Sequence, residues 1–265
     1  MVGKRKRKKG DFAGGHNRCW IWGRHAVTEL LRAGRWLPVE IVIADVPRHE
    51  WDSEVRRLAE RDGIPLIREE PDALGKLCGA RDHQGIVAKM PAFPYSSESQ
   101  VLAQLTRSAA VLVLAGIQDP FNFGAILRSA DLFGIEAVWV PEIGQSAVTP
   151  HVARSSAGAV NYLEIVKTSS LEESCKRLQK LDFQLLAASE KGTISPSQMD
   201  LTRRTAFVMG NEGTGIANEL LTMAEAQIRI PITGHVGSLN AAVATGILCY
   251  ELRRQRLPTP ATETD

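Results

Sequence analysis

From residue 109 onward the chain alternates short, unbroken apolar runs with amphipathic stretches and glycine-rich turns. Ala109-Ala-Val-Leu-Val-Leu-Ala115 has no polar member, the pattern of a parallel strand buried on both faces. Further strands are expected at 137–140, 162–166, 184–188 and 205–209, with helices at 125–133, 150–157 and 171–181 between them. A last apolar run at 227–232, broken by Pro231, opens into a turn, and a helix follows with Val243, Ile247, Leu248 and Leu252 at helical spacing. Ser238 and Asn240 are its candidate N-caps. This order predicts an α/β domain with a doubly wound parallel sheet. Two glycine-rich turns, at 210–215 and 234–240, fall at strand ends, where open sheets keep their ligands.

A smaller α/β unit is expected before it. Residues 21–31 read as a turn entering a helix with Val27, Leu30 and Leu31 on one face. Strands are expected at 39–44, 65–68 and 83–89, a charged helix at 50–61 and a short one ending at Cys78. The prolines and serines of 91–100 mark a boundary. The divisions are a basic tail at 1–18, the small domain at 19–90, a linker at 91–105, the large domain at 106–257 and a tail at 258–265.

Composition changes this picture little. Hydrophobic content of 44% and charged content of 23% are ordinary for a globular chain. No apolar run reaches the roughly 18 residues of a membrane helix, and no export signal follows the basic start. The net charge is +2, and the six basic residues Lys4-Arg-Lys-Arg-Lys-Lys9 more than account for it. Affinity for nucleic acid must therefore come from that tail and from local patches, with Arg24, Arg32 and Arg35 as candidates. Cys19, Cys78, Cys175 and Cys249 form no Cys-x-x-Cys pair, so reduced structural thiols in a cytoplasmic protein are expected, with no metal. Neither a P-loop nor a dinucleotide fingerprint is present.

Three motifs stand in order: Asp119-Pro-Phe-Asn-Phe-Gly-Ala-Ile-Leu-Arg-Ser-Ala130, Met209-Gly-Asn-Glu-Gly213, and Ile230-Pro-Ile followed by Ser238-Leu-Asn240. Together they resemble the SpoU/TrmH branch of the SPOUT RNA methyltransferases, which methylate a ribose 2′-hydroxyl with S-adenosyl-L-methionine. The resemblance covers nearly the whole chain after residue 20 and is nearest to the 23S ribosomal RNA guanosine 2′-O-methyltransferase group. It implies a SPOUT domain with a trefoil knot and a Rossmann-like parallel sheet, behind a small L30e-like RNA-binding domain carrying His83-Gln-Gly-Ile86. It also implies a homodimer through the carboxyl-terminal domain and structured RNA, ribosomal RNA foremost, as partner.

Site residues follow from the same match. Met209, Gly210, Ile230, Pro231 and Leu239 correspond to cofactor-binding positions. Arg128 corresponds to the catalytic arginine, Asn122 to the asparagine that helps place it, and Glu212, Ser238 and Asn240 to the remaining catalytic positions. A guanidinium keeps its proton and is a poor general base, so the expected role of Arg128 is to clamp a phosphate and stabilise charge on the neighbouring hydroxyl. His83 is expected to be structural, and His235 and Asn211 receive no role. The competing readings are the same chemistry on transfer RNA or another ribosomal nucleotide, and an RNA-binding assembly factor without turnover.

Overall fold

The computed structural model describes residues 19–46, 50–211 and 213–257. The chain divides into two compact units, one reaching to Pro94 and including Val148–Asn161, the other made of Tyr95–Ala147 and the chain from Tyr162.

The first unit contains β1 (Trp20–Trp22), α1 (Arg24–Ala33), β2 (Glu40–Ala44), α2 (Glu50–Arg61), β3 (Leu66–Glu69), α3 (Pro71–Cys78) and β4 (Ile86–Lys89). Its sheet has the order β1-β4-β2-β3, with β4 antiparallel to both neighbours and β2 parallel to β3. Residues 21 and 22, expected as the turn entering a helix, instead form a strand with Trp20, because two tryptophans and an isoleucine suit a pleated, buried surface. Gly23, at φ +98°, then breaks the strand and α1 begins. Residues 83–85, expected as strand, are a turn. Gln84 and Gly85 both have positive φ, and the Gly85 N–H donates to His83 Nδ1 at 3.1 Å.

The second unit contains α4 (Glu98–Gln104), β5 (Ala110–Ala115), α5 (Pro120–Leu132) and β6 (Ala137–Pro141). After α6 (Pro150–Ser155), which packs in the first unit, come β7 (Glu164–Thr168), α7 (Leu171–Gln179), β8 (Gln184–Ala188), β9 (Thr205–Gly210), α8 (Asn218–Met223), β10 (Ala226–Ile228) and α9 (Ala241–Arg256). The sheet runs β10-β8-β9-β5-β6-β7 and every pairing is parallel. The α/β class with a doubly wound parallel sheet is the one expected.

The central strands explain the architecture. In both β5 and β9 the first five residues are buried, so their backbone groups find partners only in the ladder. One face packs under α7 and α8 through Val111, Val113, Trp139, Cys175, Leu178, Val208 and Leu220. The chain leaves β5 toward β6 but returns through β8 to β9, so the order reverses between β5 and β9. That switch point is where ligands of open sheets bind. Part of the stretch read as a linker is held too, since Ser96 bridges to Val166 on the edge of β7. Burial pushes the Cys175 and Cys249 thiols up to about 12, and all four cysteines are free and buried.

Gly192 lies where the chain after β8 crosses β10, and an added Cβ would stand 2.6 Å from the Gln227 carbonyl oxygen. Backbone on both sides has little room to yield. Gly192→Ala is expected to destabilise the protein by about 1–3 kcal/mol, and an unchanged thermal midpoint would show that the crossing is loose.

Candidate active site

The site is built at the carboxyl ends of β5 and β9 and at the start of α9. After β5 the chain turns through Gly116, at φ +89°, and Asp119 caps α5 by accepting the Phe121 N–H at 2.9 Å. With Pro120 in its first turn, α5 starts five residues before the helix expected at Ala125. Asn122 thus sits in the first turn and Arg128 in the third.

Asn240 is the N-cap of α9, its Oδ1 accepting the Ala242 and Val243 N–H groups at 2.9 and 3.3 Å. Its Nδ2 donates to Asn122 Oδ1 at 3.1 Å. One side chain therefore closes a helix and joins two motifs 118 residues apart. Ser238, the other candidate cap, does not cap the helix and is exposed. Arg128 is exposed and forms no hydrogen bond or ion pair with a described residue. Glu212 lies outside the described residues, as do the basic run at 4–9 and the tail from 258.

The cofactor candidates fall into two settings. Met209 is buried and pairs with Leu114, while Gly210 ends β9 opposite Ala115. At Gly210 an added Cβ would stand 2.6 Å from the Gly215 carbonyl carbon, so only glycine lets the turn fold back. The chain after β10 opens earlier than the expected strand to residue 232, since Pro231 has no N–H for a ladder. Ile230 is half-buried there. Pro231, Ser238 and Leu239 line a cavity of about 390 Å³ with Ile232, Gly234 and Val236 among its other walls. That volume suits a small organic molecule, for which sites run from roughly 300 to 1,000 Å³. Another cavity of about 410 Å³, lined by residues from Lys191 to Gln227, holds none of the motif residues, and the chemistry follows the motifs. Among the described residues no group of three or more His, Cys, Asp or Glu stands ready for a metal ion.

Asn211, left without a role by the sequence, ties the site together. Its Nδ2 donates to the Gly116 carbonyl at 2.6 Å, and its Oδ1 accepts the Gly213 and Thr214 N–H groups at 2.7 and 3.3 Å. Gln145 and Ser146, also unnoticed, hold Ile117 from the other side, at 2.8 Å each. An asparagine two residues before a glycine is the local signature of such a turn, but its long-range bond has no sequence signal.

In the first unit the candidate arginines separate. Arg32 is occupied by Glu54 and Glu29, which raise its pKa, at 2.9 and 2.5 Å. Arg24 instead stacks over Trp51, 4.8 Å from the ring centroid, and donates its Nε–H to the Gln84 carbonyl.

A parallel sheet with paired site loops at its switch point, preceded in the chain by a separate α/β unit, is the architecture of a two-domain α/β enzyme that binds its ligand at the strand ends. The SpoU rRNA Methylase family model matches residues 109–250, and the model for RNA 2′-O ribose methyltransferase substrate binding matches residues 20–96. The chain belongs to the SpoU rRNA methylase family and carries the family's substrate-binding domain. A Staphylococcus saprophyticus protein bearing the name TrmH family tRNA/rRNA methyltransferase is 31% identical over 241 residues, covering 89% of this chain and 95% of its own. Among solved structures, an RNA 2′-O ribose methyltransferase is 28% identical with a TM-score of 0.73, covering 91% of this chain and 90% of its own. The SpoU methyltransferase AviRb of Streptomyces viridochromogenes, in complex with AdoMet, shares the fold at a TM-score of 0.76 and 24% identity, with 89% and 90% covered.

The two jobs of Asn240 are separable. Aspartate caps as well as asparagine but has no N–H to give Asn122. Asn240→Asp is therefore expected to leave thermal stability within about 0.5 kcal/mol of wild type while methyl transfer falls roughly tenfold or more. Unchanged turnover would reduce Asn240 to a cap.

Proposed function

We propose that this enzyme methylates the ribose 2′-hydroxyl of a guanosine in 23S ribosomal RNA, with S-adenosyl-L-methionine as methyl donor. The observation that carries the reading is the Asn240–Asn122 bond, which unites the first and third motifs, together with an exposed Arg128 that has no partner among the described residues. The cofactor supplies an electrophilic methyl group when bound. The cavity after β10 fits such a molecule, because Ile232, Val236 and Leu239 offer apolar wall while open backbone and Ser238 offer hydrogen bonds. Gly210, Ile230 and Leu239 are its contacts in this reading, with Met209 and Pro231 beside them. Arg128 holds the phosphate next to the target ribose and stabilises charge developing on the 2′-oxygen. Asn122 and Asn240 orient the site from their helix ends, Ser238 reaches it from the cavity wall, and the motif match assigns Glu212 the remaining catalytic position.

The family's transfer RNA substrates are the alternative target. The substrate-binding domain in front of the catalytic unit favours ribosomal RNA, with the basic tail adding phosphate contacts. A cytoplasmic location suits that substrate, and among the described residues no helix is long and apolar enough to cross a membrane. The trefoil knot belongs to this reading as well. So does a homodimer, for which α9 exposes Val243, Ile247 and Tyr250 along one stripe while Leu132 of α5 is exposed as well. Sedimentation at micromolar concentration is expected to give twice the chain mass, and a monomer would count against it.

The decisive assay supplies labelled cofactor and total RNA from cells lacking this gene, followed by nucleoside mass analysis. A 2′-O-methylguanosine in the large-subunit fraction is expected, and label confined to transfer RNA would move the target. Arg128→Lys keeps the charge but loses the planar fork, and its single-turnover rate is expected to fall about 100-fold. A rate near wild type would remove Arg128 from the chemistry.

A further inference from the structure

Two large apolar side chains stand in the open where the site loops leave the sheet. Phe121 is 64% exposed and Ile143 is 88% exposed. Phe121 directly precedes Asn122 in the first turn of α5. The helical repeat returns to its face at Ala125, Arg128 and Leu132, so the ring and the exposed guanidinium of Arg128 lie two turns apart on one stripe. The Phe121 ring has no aromatic or cationic partner among the described residues. Core packing does not account for it, because the phenylalanine two residues on, Phe123, is the one that is fully buried.

The Ile143 turn is fastened rather than loose. Gln145 Oε1 accepts the Ile117 N–H and the Ser146 N–H donates to the Ile117 carbonyl, both at 2.8 Å. A Cβ added at Gly116 would stand 3.2 Å from the Gly144 carbonyl oxygen. The turn carrying Ile143 and the loop leading to Phe121 thus form one bonded rim around the end of β5.

The occupant of such a rim must satisfy an aromatic ring and a cation together. An apolar protein face would cover the ring but strip water from Arg128 without replacing it. A nucleotide serves both, since every base offers a π face for stacking and its phosphate accepts the bidentate guanidinium. We infer that Phe121, with Ile143 on the adjoining turn, is the platform on which an unstacked base of the RNA, that of the target nucleotide or its immediate neighbour, is held while Arg128 takes the flanking phosphate. The inference rests on the methyl-transfer reading above and assigns a substrate contact that the three motifs do not supply. Stacking tolerates any base, so the platform positions the nucleotide without naming it.

The test compares wild type, Phe121→Ala and Phe121→Trp on an unmodified transcript of large-subunit ribosomal RNA, with cofactor affinity by calorimetry and mass by sedimentation. Phe121→Ala is expected to raise the KM for RNA about tenfold while cofactor affinity and mass hold. Phe121→Trp is expected to restore KM, and its added emission to be quenched by the transcript beyond the response of the five native tryptophans. A KM for the alanine variant within about twofold of wild type overturns the inference. Loss of dimer mass in that variant does so too, by assigning the ring to a subunit contact. If the wild-type chain methylates no RNA, the function proposed above falls, and the tryptophan emission still decides the platform: unquenched, it sinks it.

Discussion

The structure depends on the pairing of β5 with β9. Six consecutive residues match, from Ala110 opposite Thr205 to Ala115 opposite Gly210. Because both strands are buried on both faces, an unpaired amide there has no water to turn to, and the ladder is obligatory. A slip by two residues would preserve which side chains face which side, yet would displace the strand ends by about 6.6 Å. The Asn211–Gly116 bond could not then form, and the motif loops would no longer meet. Register in the sheet therefore sets geometry in the site.

A second alignment grows out of the first. Asn122 meets Asn240, Ser129 lies against Gly246, and the Phe133 ring meets Tyr250 edge-on at 5.9 Å. Contacts advancing together along both helices mean that α5 and α9 run parallel and side by side. The helices pack closely there, a Cβ added at Gly246 standing 3.4 Å from Ser129 Oγ, within ordinary van der Waals contact. Parallel helices bring both amino-terminal ends, with their positive dipole ends, to one place. At the other end of α9, Arg256 donates to the Leu201 and Arg203 carbonyls, where burial lowers its pKa. The helix is held at both ends, so the Asn122–Asn240 contact is set by packing as well as by its own hydrogen bond.

Legibility followed the range of the interaction that decides each feature. The apolar runs at 109–115 and 205–209 are strands because burial on both faces is written into consecutive residues. The start of α5 was readable in principle, as Asp119-Pro120 is a cap followed by a first-turn proline, but a glycine-bearing motif reads as loop. The four apolar residues of α9 were read as one face, and the structure divides them. Leu248 and Leu252 face the core, whereas Val243 and Ile247 face outward, and helical spacing alone allows either stripe inside. The role of Asn211 was hidden because its partner, Gly116, is 95 residues away and contributes only a carbonyl. Glu212 rests on the family match alone.

Charge is the remaining constraint on how this chain meets RNA. With the six cations of residues 4–9 set aside, the rest of the sequence is net acidic. Long-range attraction from the rest of the chain is therefore weak, and phosphate affinity there falls to individual cations. Many cations already have partners. Arg32 lies between two glutamates, Arg61 holds Asp62 and the Leu31 carbonyl, Arg68 holds Asp45, and Arg154 holds Asp82 while covering Trp22. Such pairs on an exposed surface add little stability, but they take those guanidinium groups away from phosphate. Arg128 and Arg24 differ in kind: neither has a described carboxylate partner, the first lies on the Phe121 stripe and the second lies over an indole. A cation beside an aromatic ring is poorly matched to a featureless polyanion and well matched to a nucleotide with its base turned out. An RNA contact made through these two arginines is thus local, one nucleotide at a time, rather than a broad electrostatic one.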